Sequence, residues 1–100
     1  KRGGSHMKAV LKSDEYIQCS RDQIATRLEH EVVILNTYSG RYYTLSGVGV
    51  AVWELLQTPQ TSHTLHEAIL KGYNVSAEQA SQDLTTLLGD LYHAGLITQQ

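Results

Sequence analysis

"RYYTLSGVGVAVWELL", Arg41 to Leu56, decides how this 100-residue chain folds. An apolar, strand-like run enters a Gly-x-Gly turn and leaves at helical spacing, the outline of a phosphate-binding loop. The rest of that motif is missing. A dinucleotide fingerprint needs a third small residue where Val52 stands. It also needs a second parallel strand after the helix, ending in an acid about 20 positions on. A Walker loop needs Gly-Lys-Ser/Thr, and no lysine lies between Arg41 and Lys71. A plainer role fits. Ser46-Gly47 lets the chain swing from strand to helix, with Ser46 the expected N-cap, and Gly49 and Ala51 let the helix sit close to the sheet.

Upstream, Val32 to Leu35 is a β-branched run that reads as a buried strand. "NTYSG", Asn36 to Gly40, is turn chemistry too short for anything but a hairpin. Arg41 to Leu45 is the return strand, and a strand around Ala25–Leu28 pairs with Val32–Leu35 on its other side. A further short strand is expected at Tyr16–Cys19. Downstream the period changes. "QTPQTS", Gln57 to Ser62, breaks the chain, and Thr64 and Glu67 have capping-box spacing ahead of a helix ended by Gly72. Ser76 and Gln79 open the longest helix, whose Ala77, Ala80, Leu84, Leu87, Leu88 and Leu91 recur at three and four. Gly95 marks its C-cap, and Leu96 to Thr98 form a last strand. The expected fold is α+β: a winged helix-turn-helix with an N-terminal three-stranded antiparallel sheet packed on three helices.

The totals bound the function. One hundred residues make one domain, with residues 1–6 read as an expression-tag remnant and 7–100 as the domain. Without Lys1 and Arg2, six basic residues face ten acidic ones. No apolar run reaches membrane-span length and no signal peptide precedes Met7, so the expected setting is cytoplasmic, with no membrane partner. A single cysteine, Cys19, cannot form an internal disulfide.

Catalytic chemistry is hard to assemble. His63 and His66 are three apart and lack the order and third ligand of a zinc site. Cys19 in a β-rich segment reads as a small buried hydrophobe. No Ser-His-Asp pattern, paired-carboxylate motif or phosphate cradle is present, so no enzyme, metal or cofactor is expected. Nucleic acid is also disfavoured. From Tyr42 to Gln100 there is one basic residue, Lys71, against Glu54, Glu67, Glu78, Asp83 and Asp90. An acidic long helix would be repelled by phosphate.

Protein recognition remains. If Arg41–Leu45 is an edge strand, its unpaired backbone is a template for an added peptide strand. The expected site is Arg41, Tyr42, Tyr43, Thr44 and Leu45 on the strand, with Ala80, Leu84 and Leu87 lining pockets from the long helix. Asp83 is expected at the rim, facing a basic residue of the ligand.

The order Leu35-Asn36, Gly40-Arg41-Tyr42-Tyr43-x-Leu45, Val52-Trp53-x-Leu55-Leu56, Tyr73-x-Val75 and Gly95-Leu96-Ile97 resembles the PqqD-like proteins, the recognition elements of ribosomally made, modified peptides. The match runs from about Tyr16 to Ile97. The resemblance implies non-catalytic binding of a precursor's leader segment as an added strand against the last strand of the meander, in a groove walled by the third helix. A stand-alone copy looks most like the leader-binding protein of lasso-peptide pathways, whose partner is a leader-cleaving cysteine peptidase. The alternatives are a PqqD-type peptide chaperone for a radical-SAM maturase and a winged-helix DNA-binding protein. The Gly47/Gly49 pair departs from the family's more polar or proline-containing turn.

Overall fold

A computed structural model describes residues 15–99; residues 1–6, read above as a tag remnant, lie outside them. In chain order the elements are β1 (Tyr16–Cys19), β2 (Gln23–Arg27), β3 (Glu31–Asn36), β4 (Tyr42–Ser46), α1 (Val48–Leu55), β5 (Gln60–Thr61), α2 (Ser62–Gly72), α3 (Ala77–His93) and β6 (Ile97–Gln99). The fold is α+β, with two three-stranded antiparallel sheets and three helices among the described residues.

The first sheet, ordered β2-β3-β4, is the expected meander. Strand β3 alternates, with Val32, Ile34 and Asn36 buried and Val33 and Leu35 half-buried on the other face. That period of two turns one face to the helices. The second sheet, β5-β1-β6, was not expected in full. Its strand β5 lies inside "QTPQTS" and pairs with Tyr16 and Ile17, while Ile97 to Gln99 pair on the other side of β1. The winged helix-turn-helix reading is not confirmed. A single three-residue strand follows α3, and it joins β1 rather than forming a hairpin.

Two helix starts differ from expectation. The α1 N-cap is Gly47, not Ser46, at φ 57° and ψ −129°, with no side-chain cap. An L side chain avoids that backbone, so the glycine makes the corner. The α2 N-cap is Thr61, whose hydroxyl accepts from the Thr64 N–H, so Thr64 sits inside the first turn. Helix α3 follows its sequence signals. Ser76 accepts from the Gln79 N–H. At the other end, Gly95 at φ 74° allows Leu96 N–H to reach the Leu91 carbonyl (2.9 Å), a Schellman closure.

One core joins both sheets and all three helices: Ile17, Val32, Ile34, Val52, Trp53, Leu56, Leu65, Leu88, Leu96 and Ile97 are buried together. Truncating a fully buried leucine there, such as Leu88, should cost about 2–5 kcal/mol. Helix α1 reaches this core by lying close on β4. A Cβ at Gly49 would stand 3.3 Å from Leu45 Cβ, tighter than ordinary contact. The expected close approach is therefore real, and it fixes Leu45 beneath α1.

Candidate peptide-binding groove

The hairpin register determines which backbone groups of β4 are free. Asn36 N–H donates to the Arg41 carbonyl (2.8 Å), and the same register pairs Ile34 with Tyr43 and Val32 with Leu45. Bonded pairs alternate in an antiparallel ladder, so Tyr43 and Leu45 spend their N–H and C=O groups on β3. Tyr42 and Thr44 point theirs the other way. Strand β4 ends its sheet, so those groups face an edge no other described strand occupies.

Side chains alternate with the backbone. Tyr43 and Leu45 turn toward the helices and are half-buried, whereas Tyr42, 69 % exposed, and Thr44 stand on the outer face. Beside the open edge lies a groove of about 420 Å³ lined by Tyr43 from β4 and by Asp90, His93 and Ala94 from the end of α3.

Asn36 ties the walls of this groove together. Buried at the end of β3, it accepts the N–H groups of Tyr38 and Ser39 at Oδ1 (2.9 and 3.1 Å) and donates Nδ2 to the Ala94 carbonyl (2.8 Å). One amide therefore shapes the hairpin turn and caps the last turn of α3. A Cβ at Gly95 would come within 3.1 Å of that Nδ2, so the contact also needs a glycine at 95.

The expected site residues divide. Arg41, Tyr42, Tyr43, Thr44 and Leu45 lie on or beside the edge strand, with Leu45 committed to packing under α1. On α3, Ala80 and Leu84 are 0 % and 4 % exposed and belong to the core, so they offer a ligand no surface. With about 3.6 residues per turn, the flank next to that core stripe carries Asp83, Leu87, Asp90 and Ala94. Leu87 is half-buried against the core, and Asp83 is exposed and held by Gln79 Nε2 at 2.8 Å. Asp90, His93 and Ala94 were missed. The signal available for Asp90 and Ala94 is their spacing of three and seven from Leu87 along one flank; His93 stands beside that flank and carries no such signal.

The opposite edge of the sheet is arranged differently. The outward groups of β2 belong to Ala25 and Arg27, and the Arg27 guanidinium pairs with Glu54 of α1 across a smaller hollow of about 200 Å³. That ion pair bridges the edge, whereas among the described residues no ion pair bridges the edge of β4.

Reactive chemistry is weak at Cys19 and His66. Burial pushes the Cys19 thiol up to about 11, partly offset by a hydrogen bond from Gln57 Nε2 (3.2 Å), so it is protonated at neutral pH. His66 Nε2 is bonded to the Ala77 carbonyl (3.0 Å). Among the described residues no group of three or more His, Cys, Asp or Glu could hold a metal ion, and no helix is long and apolar enough to cross a membrane.

The profile of the family described as coenzyme PQQ synthesis protein D (PqqD) matches residues 31–97, from the first residue of β3 into β6. The chain belongs to the PqqD family. Its fold is similar to that of two solved structures. One is TbiB1 in complex with the TbiA(beta) leader peptide: TM-score 0.75, 28 % identity, 80 % of this chain and 93 % of that one. The other is a lasso peptide synthetase B1 complexed with the leader peptide: TM-score 0.73, 17 % identity, 82 % of this chain and 96 % of that one. No curated protein gave a significant match. The family motifs have structural meaning here: Leu35-Asn36 ends β3 at the amide that holds α3, and Gly95-Leu96-Ile97 closes that helix and starts β6.

Proposed function

We propose that this PqqD-family chain binds the leader segment of a ribosomally synthesised precursor peptide, as a strand added to β4, and carries it to a leader-cleaving cysteine peptidase in lasso-peptide biosynthesis. The observation that carries this reading is the open β4 edge, with Tyr42 and Thr44 backbone groups turned toward a groove walled by α3. Support comes from TbiB1, a leader complex at 28 % identity over most of both chains. Strand addition suits a leader: backbone bonds hold any extended sequence, and a few side-chain contacts select one.

The role is binding, not catalysis. In support of this, burial pushes the Cys19 thiol up to about 11, and its hydrogen-bond partner is the Gln57 amide, which is no general base. A second reading is favoured by the family's own description: a peptide chaperone that presents its precursor to a radical-SAM maturase in a PqqD-type pathway. Both readings use the same groove and differ in the enzyme that follows.

Amide hydrogen exchange tests the groove. Adding the TbiA(beta) leader peptide, or a leader encoded beside this gene, should slow exchange at Tyr42 and Thr44 more than at Tyr43 and Leu45, whose N–H groups are already paired. Protection confined to β2 or to α1 would contradict it. Co-purification with a cysteine peptidase or with a radical-SAM enzyme separates the two pathways.

A further inference from the structure

We infer that the groove selects a leader strand carrying lysine or arginine at the position that faces Asp90; this rests on the strand-addition reading. Side chains of a strand added to β4 alternate as those of β4 do. One set falls on the outer face beside Tyr42 and Thr44. The other turns into the groove, between Tyr43 and the end of α3, where Asp90 is a lining residue. The Asp90 carboxylate has no hydrogen bond or ion pair among the described residues; the Ala94 N–H donates to the Asp90 backbone carbonyl (3.0 Å) and leaves the side chain unused.

Apart from His93, the groove wall around it carries no basic side chain. Helix α3 holds no lysine or arginine, and its groove flank carries a second acid, Asp83, about two turns earlier. Arg41 shares a strand face with Tyr43 by alternation, yet it is exposed and forms no ion pair with Asp90. A strand laid over the groove removes water from Asp90. A cation opposite it then offsets that loss, a neutral residue leaves the charge poorly solvated, and an acid is repelled. Discrimination thus comes as much from rejecting acids as from attracting bases. The sequence alone points to Asp83 for this contact. The structure favours Asp90, because Asp83 is already held by Gln79 and does not line the groove.

A phage-displayed library of random 12-residue peptides, selected on the full chain, provides the test. Selected peptides are then measured as synthetic fluorescent probes on the unaltered protein and on Asp90→Asn, Asp90→Lys and Thr44→Pro variants. Enrichment of lysine or arginine at one position, about tenfold or greater weakening when that residue is changed to glutamate, and a reversed preference on Asp90→Lys would support the inference. Because Asp90 is exposed, its variants should fold, and circular dichroism checks this. Peptides that lose binding on Thr44→Pro yet show no basic preference would overturn the charge inference and leave the groove standing. Peptides indifferent to a folded Thr44→Pro variant would overturn both.

Discussion

Asn36 donates from Nδ2 to the carbonyl of Ala94 across 58 residues of sequence, at 2.8 Å. That bond fixes the β3–β4 hairpin against the last turn of α3. It sets the spacing of Tyr43 and Ala94, which face each other across the groove. An Asn36→Ala variant strands the Ala94 carbonyl and the N–H groups of Tyr38 and Ser39. It should lose about 1–3 kcal/mol of stability in a urea titration. Leader affinity should also fall under conditions where the variant remains folded, because the walls are no longer held together.

The corner at Gly47 predicts a contrast between two glycines. Gly47 sits at φ 57° with open space around it, so strain and not crowding opposes a side chain there. Gly47→Ala should cost about 1–3 kcal/mol. Gly72, at the end of α2, has neither a positive φ nor a neighbour within 4 Å. Gly72→Ala should be neutral or stabilise by up to about 1 kcal/mol, through the unfolded chain. Thermal melts of the two variants should move in opposite directions, or only the first should move.

Much of this architecture could be read in the residues, and the misses share a cause. Helix α3 announces both ends locally, through Ser76 with Gln79 and through Gly95, and it lies where expected. The β3 alternation likewise orients its sheet. Strand β5 carries no such signal. Two residues inside a proline-containing loop become a strand only because Tyr16 and Ile17 pair with them. The same pairing starts α2 at Thr61, since Thr61, Ser62 and Thr64 are all competent caps and β5 ends at the first of them. Along α3, apolar periodicity marks the core stripe and not the groove lining. Ala80 and Leu84 belong to the core stripe, while the flank that meets β4 ends in Asp90, His93 and Ala94, residues with no hydrophobic periodicity of their own.

Cys19 should be slow to react. Its thiol titrates at about 11, raised from 9.0 by burial, so its thiolate fraction at pH 8 is about a hundredfold below that of the unfolded chain. Iodoacetamide should alkylate the native protein correspondingly slower than the protein in urea. The linkage has a defined sign. Keeping the thiol neutral favours the folded state, fully so below pH 9, and this contribution fades as pH rises through about 11. Equal alkylation rates in native and unfolded protein would contradict this burial.

The long helix should not bind DNA. It presents Glu78, Asp83 and Asp90 and no lysine or arginine. A random duplex should show no mobility shift even at low salt. A shift with a steep inverse salt dependence, the mark of several phosphate contacts, would overturn the charge reasoning.

Strand addition to β4 is tested most directly by calorimetric titration of the leader peptide into a Thr44→Pro variant, with Thr44→Ala alongside. The Thr44 N–H takes no part in the β3 ladder, so proline removes a donor only at the open edge. Circular dichroism and a melt should show Thr44→Pro folded. It should then bind no leader at concentrations that saturate the unaltered protein, while Thr44→Ala, which keeps its N–H, binds within a few-fold of normal. A folded Thr44→Pro variant that binds the leader with unchanged affinity would show that the peptide does not add to this strand.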